Sequence, residues 1–184
     1  MAASPLFCIP FARDLTLWMG AVDASRSSAS KVLEKDISVC VYPGGSKEIF
    51  KTNPASTVTR LVLKERKGFI KLAIAHGADL VPVFVFGEKY LYSMWRPPRR
   101  IWQTLLKTYK VPLIFFWGQF GTWVPYRKSL GVVYGKSIPV QQEDKPSEES
   151  VERLHKEYVA AIVTLFEEYK EQFGYDDCET LEIE

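Results

Sequence analysis

Apolar positions along the chain fall into helical stripes and short continuous runs. In residues 5–22, Phe11, Leu15, Trp18 and Met19 recur near helical spacing, which predicts an apolar approach followed by a short helix. Residues 25–30 read as a polar loop or helix start, and residues 31–35 as a helical turn. The run Ile37-Ser38-Val39-Cys40-Val41-Tyr42 predicts a buried strand, broken by Pro43-Gly44-Gly45. Residues 60–64 are a second, short strand candidate. Residues 69–76 predict a helix, with Gly77 placed to cap its C-terminus. Residues 80–86 are apolar almost throughout, as in strands buried on both faces of a parallel sheet.

Two strands around one helix predict a right-handed βαβ crossover. Further on, residues 99–110 are amphipathic, with Ile101, Trp102, Leu105, Leu106 and Tyr109 on one side, and residues 131–134 form another short strand. A long final helix is predicted from an N-cap at Ser147, with Glu148 and Glu149 in its first turn. Val151, Leu154, Tyr158, Ile162, Leu165 and Tyr169 form its apolar stripe and Gly174 ends it. Residues 175–184 are acidic and are expected to fray. The fold class expected is α/β: a mostly parallel sheet flanked by helices, in one domain over residues 1–184, without repeats or an interdomain linker.

Composition sharpens this picture in two places. With 184 residues, 47% of them hydrophobic and 14% aromatic, the chain has enough apolar material for a core, which excludes a disordered chain. The net charge of +2 conceals an asymmetry. Residues 89–142 hold nine Lys/Arg and no acid, whereas residues 143–184 hold fourteen acids and four bases. That fits a surface facing phosphates or anionic lipid headgroups, and it also fits a solvated basic face balanced by a solvated acidic helix. Cys8, Cys40 and Cys178 are spaced for neither a disulfide framework nor a zinc site, so reduced, cytosol-facing chemistry is expected. No apolar run reaches the roughly 18 residues a membrane span needs. Residues 1–18 lack the basic start of a signal peptide.

Candidate chemistry gathers around the Gly turn. Pro43-Gly44-Gly45 fits a phosphate or substrate turn, and equally an ordinary tight turn. Glu48 could orient an acceptor hydroxyl or hold an arginine. Arg60, Lys64, Arg66, Lys67 and Lys71 gather beside a helix start near Gly68, which favours a phosphate-bearing ligand or a solvated face. Phe115, Phe116, Trp117, Phe120, Trp123 and Tyr126 lie between basic clusters, as at a membrane interface, an acyl-chain tunnel or an ordinary core. No nucleic-acid-binding motif accompanies them. His76 and His155 belong to no nucleophile motif and no metal cluster.

Taken in order, Pro43-Gly44-Gly45 with Glu48, Arg66-Lys67-Gly68-Phe69, His76-Gly77 to Val81-Pro82, and Phe86-Gly87-Glu88 resemble the type-2 diacylglycerol acyltransferase family, which includes monoacylglycerol and wax-alcohol acyltransferases. Val124-Pro125-Tyr126-Arg127, Gly135-Lys136 and Pro146-Ser147-Glu148-Glu149 through His155 and Tyr158 resemble its C-terminal half. The resemblance implies transfer of a fatty acyl group from acyl-CoA, a co-substrate, to a glyceride or fatty-alcohol hydroxyl. It places that work at the cytosolic side of the endoplasmic reticulum membrane or a lipid droplet, without cofactor, metal or nucleic acid. It implies a substrate site of Pro43, Gly44, Gly45, Glu48, Arg66, Lys67, Gly68, Phe69, His76, Gly77, Pro82 and Glu88. Within it the positive charge of Arg66 and Lys67 suits the CoA phosphates. The family's base is attributed to a His-Pro-His-Gly motif before the Gly turn, and this chain carries none. Nor does either histidine have an Asp five positions on: Val81 follows His76 and Ala160 follows His155. The chain is therefore expected to be a C-terminal portion of such an enzyme, with His76 a substitute base at most. The alternative is a non-catalytic acyl-CoA- or lipid-surface-binding module.

Overall fold

A computed structural model describes residues 1, 7, 10–45, 48, 53–95 and 115–184. The helices are α1 (Ala12–Trp18), α2 (Arg26–Leu33), α3 (Gly68–His76) and α4 (Glu148–Tyr169). The strands are β1 (Val58–Leu61), β2 (Val83–Phe86), β3 (Ser93–Trp95), β4 (Phe115–Trp117), β5 (Gly131–Tyr134) and β6 (Thr180–Ile183). The caps at Ser147 and Gly77 are those the sequence announces, and Ser25 adds one at the start of α2. The Ser25 hydroxyl accepts from the Ser28 amide at 3.3 Å, and the Ser147 hydroxyl from the Ser150 amide at 3.0 Å. Gly77 ends α3 in the left-handed conformation at φ 62°. The amphipathic segment 99–110 lies outside the described residues.

The fold mixes helices with small sheets, so the α/β class holds, while the expected pairing does not. Among the described residues the only parallel ladder is β1 with β6; β2 pairs antiparallel with β5, and β3 with β4. Residues 80–86 are not a strand buried on both faces. Only Val83–Phe86 is strand, with Phe84 and Phe86 buried and Val83 and Val85 half-exposed. That is the alternation of an antiparallel strand with one face on a core. Residues 37–42 form no strand, and Ile37 is 53% exposed. An apolar run becomes a strand only where a neighbour completes its ladder. Here the Cys40 carbonyl instead accepts from the Met1 amino group at 2.7 Å.

The C-terminal tail is likewise not frayed among these residues. Tyr175 and Glu179 are buried, and β6 continues the β1 ladder with Leu181 opposite Thr59. Counting acids could not show that one of them, Glu179, has a buried cation as partner.

Contacts divide the chain into two compact units. The first comprises Met1–Pro43, Arg66–Leu80 and Ser137–Tyr158. Its buried apolar residues include Ala29 of α2, Ile70, Ala73 and Ile74 of α3, Ile138, and Val151, Leu154 and Tyr158 of α4. Phe69 meets Tyr158 edge-on, 5.1 Å between ring centres.

The second unit comprises Gly44–Glu65, Val81–Lys136 and Val159–Glu184. Its core is aromatic. Phe86 stacks on Phe173 at 4.7 Å, meets Tyr175 edge-on at 5.5 Å, and lies 4.6 Å from Phe84, which meets Phe166 at 5.3 Å. Phe86 and Phe166 are wholly buried, each contributing about 1.5–3 kcal/mol of transfer free energy.

Candidate functional site

In the second unit the Gly turn is built around one carboxylate. Gly44 is buried, and the Glu48 amide donates to the Gly45 carbonyl at 3.1 Å, closing the turn. The Glu48 side chain folds back so that its Oε1 accepts from the Val62 amide at 2.9 Å, just beyond β1. A Cβ on Gly44 would overlap the Glu48 carboxylate. Gly45 has open space around it but a φ of 60°, which disfavours any side chain for a different reason. Glu48 thus ties the turn to β1, and the β1 end is held in turn by the bond from the Lys64 amide to the Glu184 carbonyl, 2.8 Å.

Pro82 and Glu88 belong to the same unit and flank β2. Pro82 is fully buried, and its carbonyl accepts from the Gly135 amide at 2.8 Å. Glu88 is exposed and opens the short 3-10 turn Glu88–Tyr90. Next to it lies a group of residues that sequence spacing did not reveal. Lys89 and Glu179 form a buried ion pair at 2.5 Å, with side chains 6% and 8% exposed. The ammonium also lies 4.7 Å from the Tyr175 ring centre, and the Tyr175 hydroxyl accepts from the Gly87 amide at 3.0 Å. Burial pulls the Lys89 pKa down, but the hydrogen bonds and charges of Glu179 and Tyr90 raise it net above the usual lysine value. Burial pushes the Tyr175 phenol up.

Phe115, Phe116 and Trp117 of β4, with Phe120 and Trp123 of the following turn, are exposed, and five residues of this stretch line an open concavity: Phe115, Phe116, Trp117, Gly121 and Trp123.

The first unit holds Pro43, Arg66, Lys67, Gly68, Phe69, His76 and Gly77. Three of the five cations assigned to phosphate have carboxylate partners: Lys67 pairs with Glu152 and Lys71 with Glu148 at 2.6 Å, and in the second unit Arg60 pairs with Glu182 at 2.8 Å. The lysine hydrogen bonds hold Glu148 and Glu152 below the usual carboxylate pKa. Arg66 is half-buried and makes no ion pair among the described residues. Phe69 is held by Tyr158, as above, and Gly68 is exposed with open space at its Cα. Beyond Gly77, the Gln142 amide nitrogen donates to the Ala75 carbonyl at 3.2 Å, covering the end of α3.

His76, the last residue of α3, has its Nε2 at 3.1 Å from the Ser30 hydroxyl. The two residues are 46 positions apart, so no local motif could have joined them. The geometry permits proton exchange between imidazole and hydroxyl, and no carboxylate partner orients the ring among the described residues. His155 is buried within α4. No helix among the described residues is long and apolar enough to cross a membrane.

The family described as diacylglycerol acyltransferase matches residues 1–184. The chain is 38% identical to 2-acylglycerol O-acyltransferase 1 of Mus musculus, over 95% of this chain and 56% of that protein. It is 34% identical to diacylglycerol O-acyltransferase 2 of Dictyostelium discoideum, over 96% of this chain and 57% of that protein. It is 32% identical to diacylglycerol O-acyltransferase 2 of Bos taurus, over 96% and 52%. The chain thus spans about half the length of the curated relatives it matches. No solved structure matches it. The match runs from the first residue to the last and takes in the Gly turn with its carboxylate, the α3 segment and the β2 segment alike: the chain belongs to the diacylglycerol acyltransferase family.

Proposed function

We propose that the protein serves acyl-CoA-dependent O-acylation in neutral-lipid synthesis, with diacylglycerol, monoacylglycerol or a fatty alcohol as acceptor. The reaction belongs at the cytosolic side of the endoplasmic reticulum membrane or on a lipid droplet. The observation that carries this reading is the family match over the whole chain. In such a transfer the acceptor oxygen attacks the thioester carbonyl while a base takes its proton. The tetrahedral oxyanion then collapses, and the CoA thiolate leaves and is protonated.

The turn at Gly44, Gly45 and Glu48 suits the wall of such a centre, because its backbone is bare of side chains and its shape is fixed by the Glu48–Val62 bond. Arg66 is the cation for the CoA phosphates, since Lys67 already serves Glu152. His76, beside Ser30, is the base that the described residues offer. A second reading is favoured by one observation, the exposed aromatic stretch from Phe115 to Trp123: a module that binds acyl-CoA or a lipid surface without catalysis.

The test is transfer from labelled oleoyl-CoA to the three acceptors, in membranes of cells expressing these 184 residues. Ester product that disappears in His76→Asn assigns the base. Binding of oleoyl-CoA without product supports the second reading, and neither binding nor product overturns both.

A further inference from the structure

We propose that the paired strands β3 and β4 and the turn after β4 form a membrane-seating surface that rests on an anionic bilayer, an inference that builds on the reading that the substrates are membrane-borne. Trp95, Phe115 and Phe116 of these strands are exposed together with Phe120 and Trp123 of the turn, and the last two are 96% and 81% exposed. Soluble monomers rarely leave such a contiguous apolar patch in water.

The turn holds its shape by its own bonds. The Gly118 amide donates to the Thr122 carbonyl at 2.7 Å, the Gln119 amide to the Val124 carbonyl at 2.8 Å, and the Gln119 side chain to the Pro125 carbonyl at 2.8 Å. Within this frame Phe120 sits at φ 56°, a left-handed conformation that is costly for a bulky residue. A strained phenylalanine pointing into solvent gains nothing from the fold; it gains where the ring enters an apolar phase.

The charge pattern names the occupant. Arg127 and Lys128 follow the turn and are exposed, where the Tyr126 amide, bonded to the Leu91 carbonyl at 2.9 Å, anchors the chain beside the start of β3. The sequence from residue 89 to 142 contains no acid at all. Aromatic rings ahead of an acid-free basic collar match a bilayer interface, where rings take the headgroup–acyl boundary and cations take anionic headgroups. A second copy of the chain would bring a like-charged collar against this one.

The test uses the 184-residue protein with vesicles of phosphatidylcholine alone or with added phosphatidylserine, read by co-sedimentation and tryptophan emission, without acyl-CoA or acceptor. Binding should be tighter on the anionic vesicles, with a blue shift. Phe120→Ser and Trp123→Ser should each weaken it about tenfold on both vesicle types. Arg127→Glu and Lys128→Glu should each weaken it about fivefold on anionic vesicles only. All four side chains are exposed, so melting temperatures should hold. Unchanged binding in the Phe120 and Trp123 variants overturns the proposal. So does concentration-dependent self-association that these variants abolish in the absence of vesicle binding. Docking is read without turnover, so its failure and a failure of the acyltransferase reading register in different assays.

Discussion

At the scale of single residues, Gly44 and Gly45 are adjacent, identical and required for different reasons. The sequence supports one argument for both, a backbone lying bare against a ligand. The structure separates them: Gly45 is needed for its positive φ, and Gly44 for the Glu48 carboxylate folded beneath it. Gly45→Ala should therefore cost about 1 kcal/mol by conformation alone, whatever residue stands at position 48. Gly44→Ala should cost about 1–2 kcal/mol by expelling Glu48 and leaving the Val62 amide unpaired. In a Glu48→Ala background that cost should largely vanish. Urea melts of the two singles and the double measure this coupling, and equal costs for Gly44→Ala in both backgrounds would sink the account.

At the scale of elements, α3 and the start of α4 are joined by two ion pairs in antiparallel register: Lys67 with Glu152, and Lys71 with Glu148, four residues apart on each helix. The lysine hydrogen bonds depress both carboxylate pKa values below the ordinary 4.5. A depressed carboxylate stabilises the fold above its unfolded pKa, and that contribution is lost as pH falls through the folded value. Melting temperature should thus drop on acidification below 4.5, and the double variant Glu148→Gln/Glu152→Gln should show a shallower acid limb. Parallel limbs would mean that the pairs carry no stability.

These helices were legible because period, cap and stop are local: Ser147 and Gly77 announce their ends without reference to anything distant. Strands were legible only as apolar runs. Residues 83–86 and 37–42 look alike in sequence, yet one finds β5 as a ladder partner and the other finds none among the described residues. Partnership is a property of distant chain, which is also why Ser30 beside His76, and Glu179 beside Lys89, escaped the sequence pattern.

At the scale of the whole molecule, the second unit is assembled from three stretches far apart in sequence, and its last ten residues fasten the other two. β6 gives β1, near residue 60, its parallel neighbour, while Glu179 neutralises Lys89 and Tyr175 packs on Phe86. Lys170 adds bonds to the carbonyls of Asp177 and Glu179, at 3.2 and 3.3 Å. A segment read from composition as a solvated acidic tail therefore serves as a clasp, and its energetics follow from the buried pair. Glu179→Gln leaves the Lys89 ammonium in an apolar site without its counter-charge, and should cost about 3–5 kcal/mol. Removing residues 175–184 adds the loss of the β1 ladder and should leave the unit unable to fold cooperatively. The double variant Lys89→Met/Glu179→Leu, with no charge left to bury, should lie close to the parent. Because the Lys89 pKa is raised in the fold, its share of stability is present below the unfolded lysine value of 10.5 and is lost as pH rises through the folded one. Urea midpoints for the three variants at neutral pH decide the matter: a deletion that melts like the parent would return the tail to the status of a solvated appendage, whereas a rescued double variant beside a failed Glu179→Gln shows that the clasp works through charge compensation in a buried site.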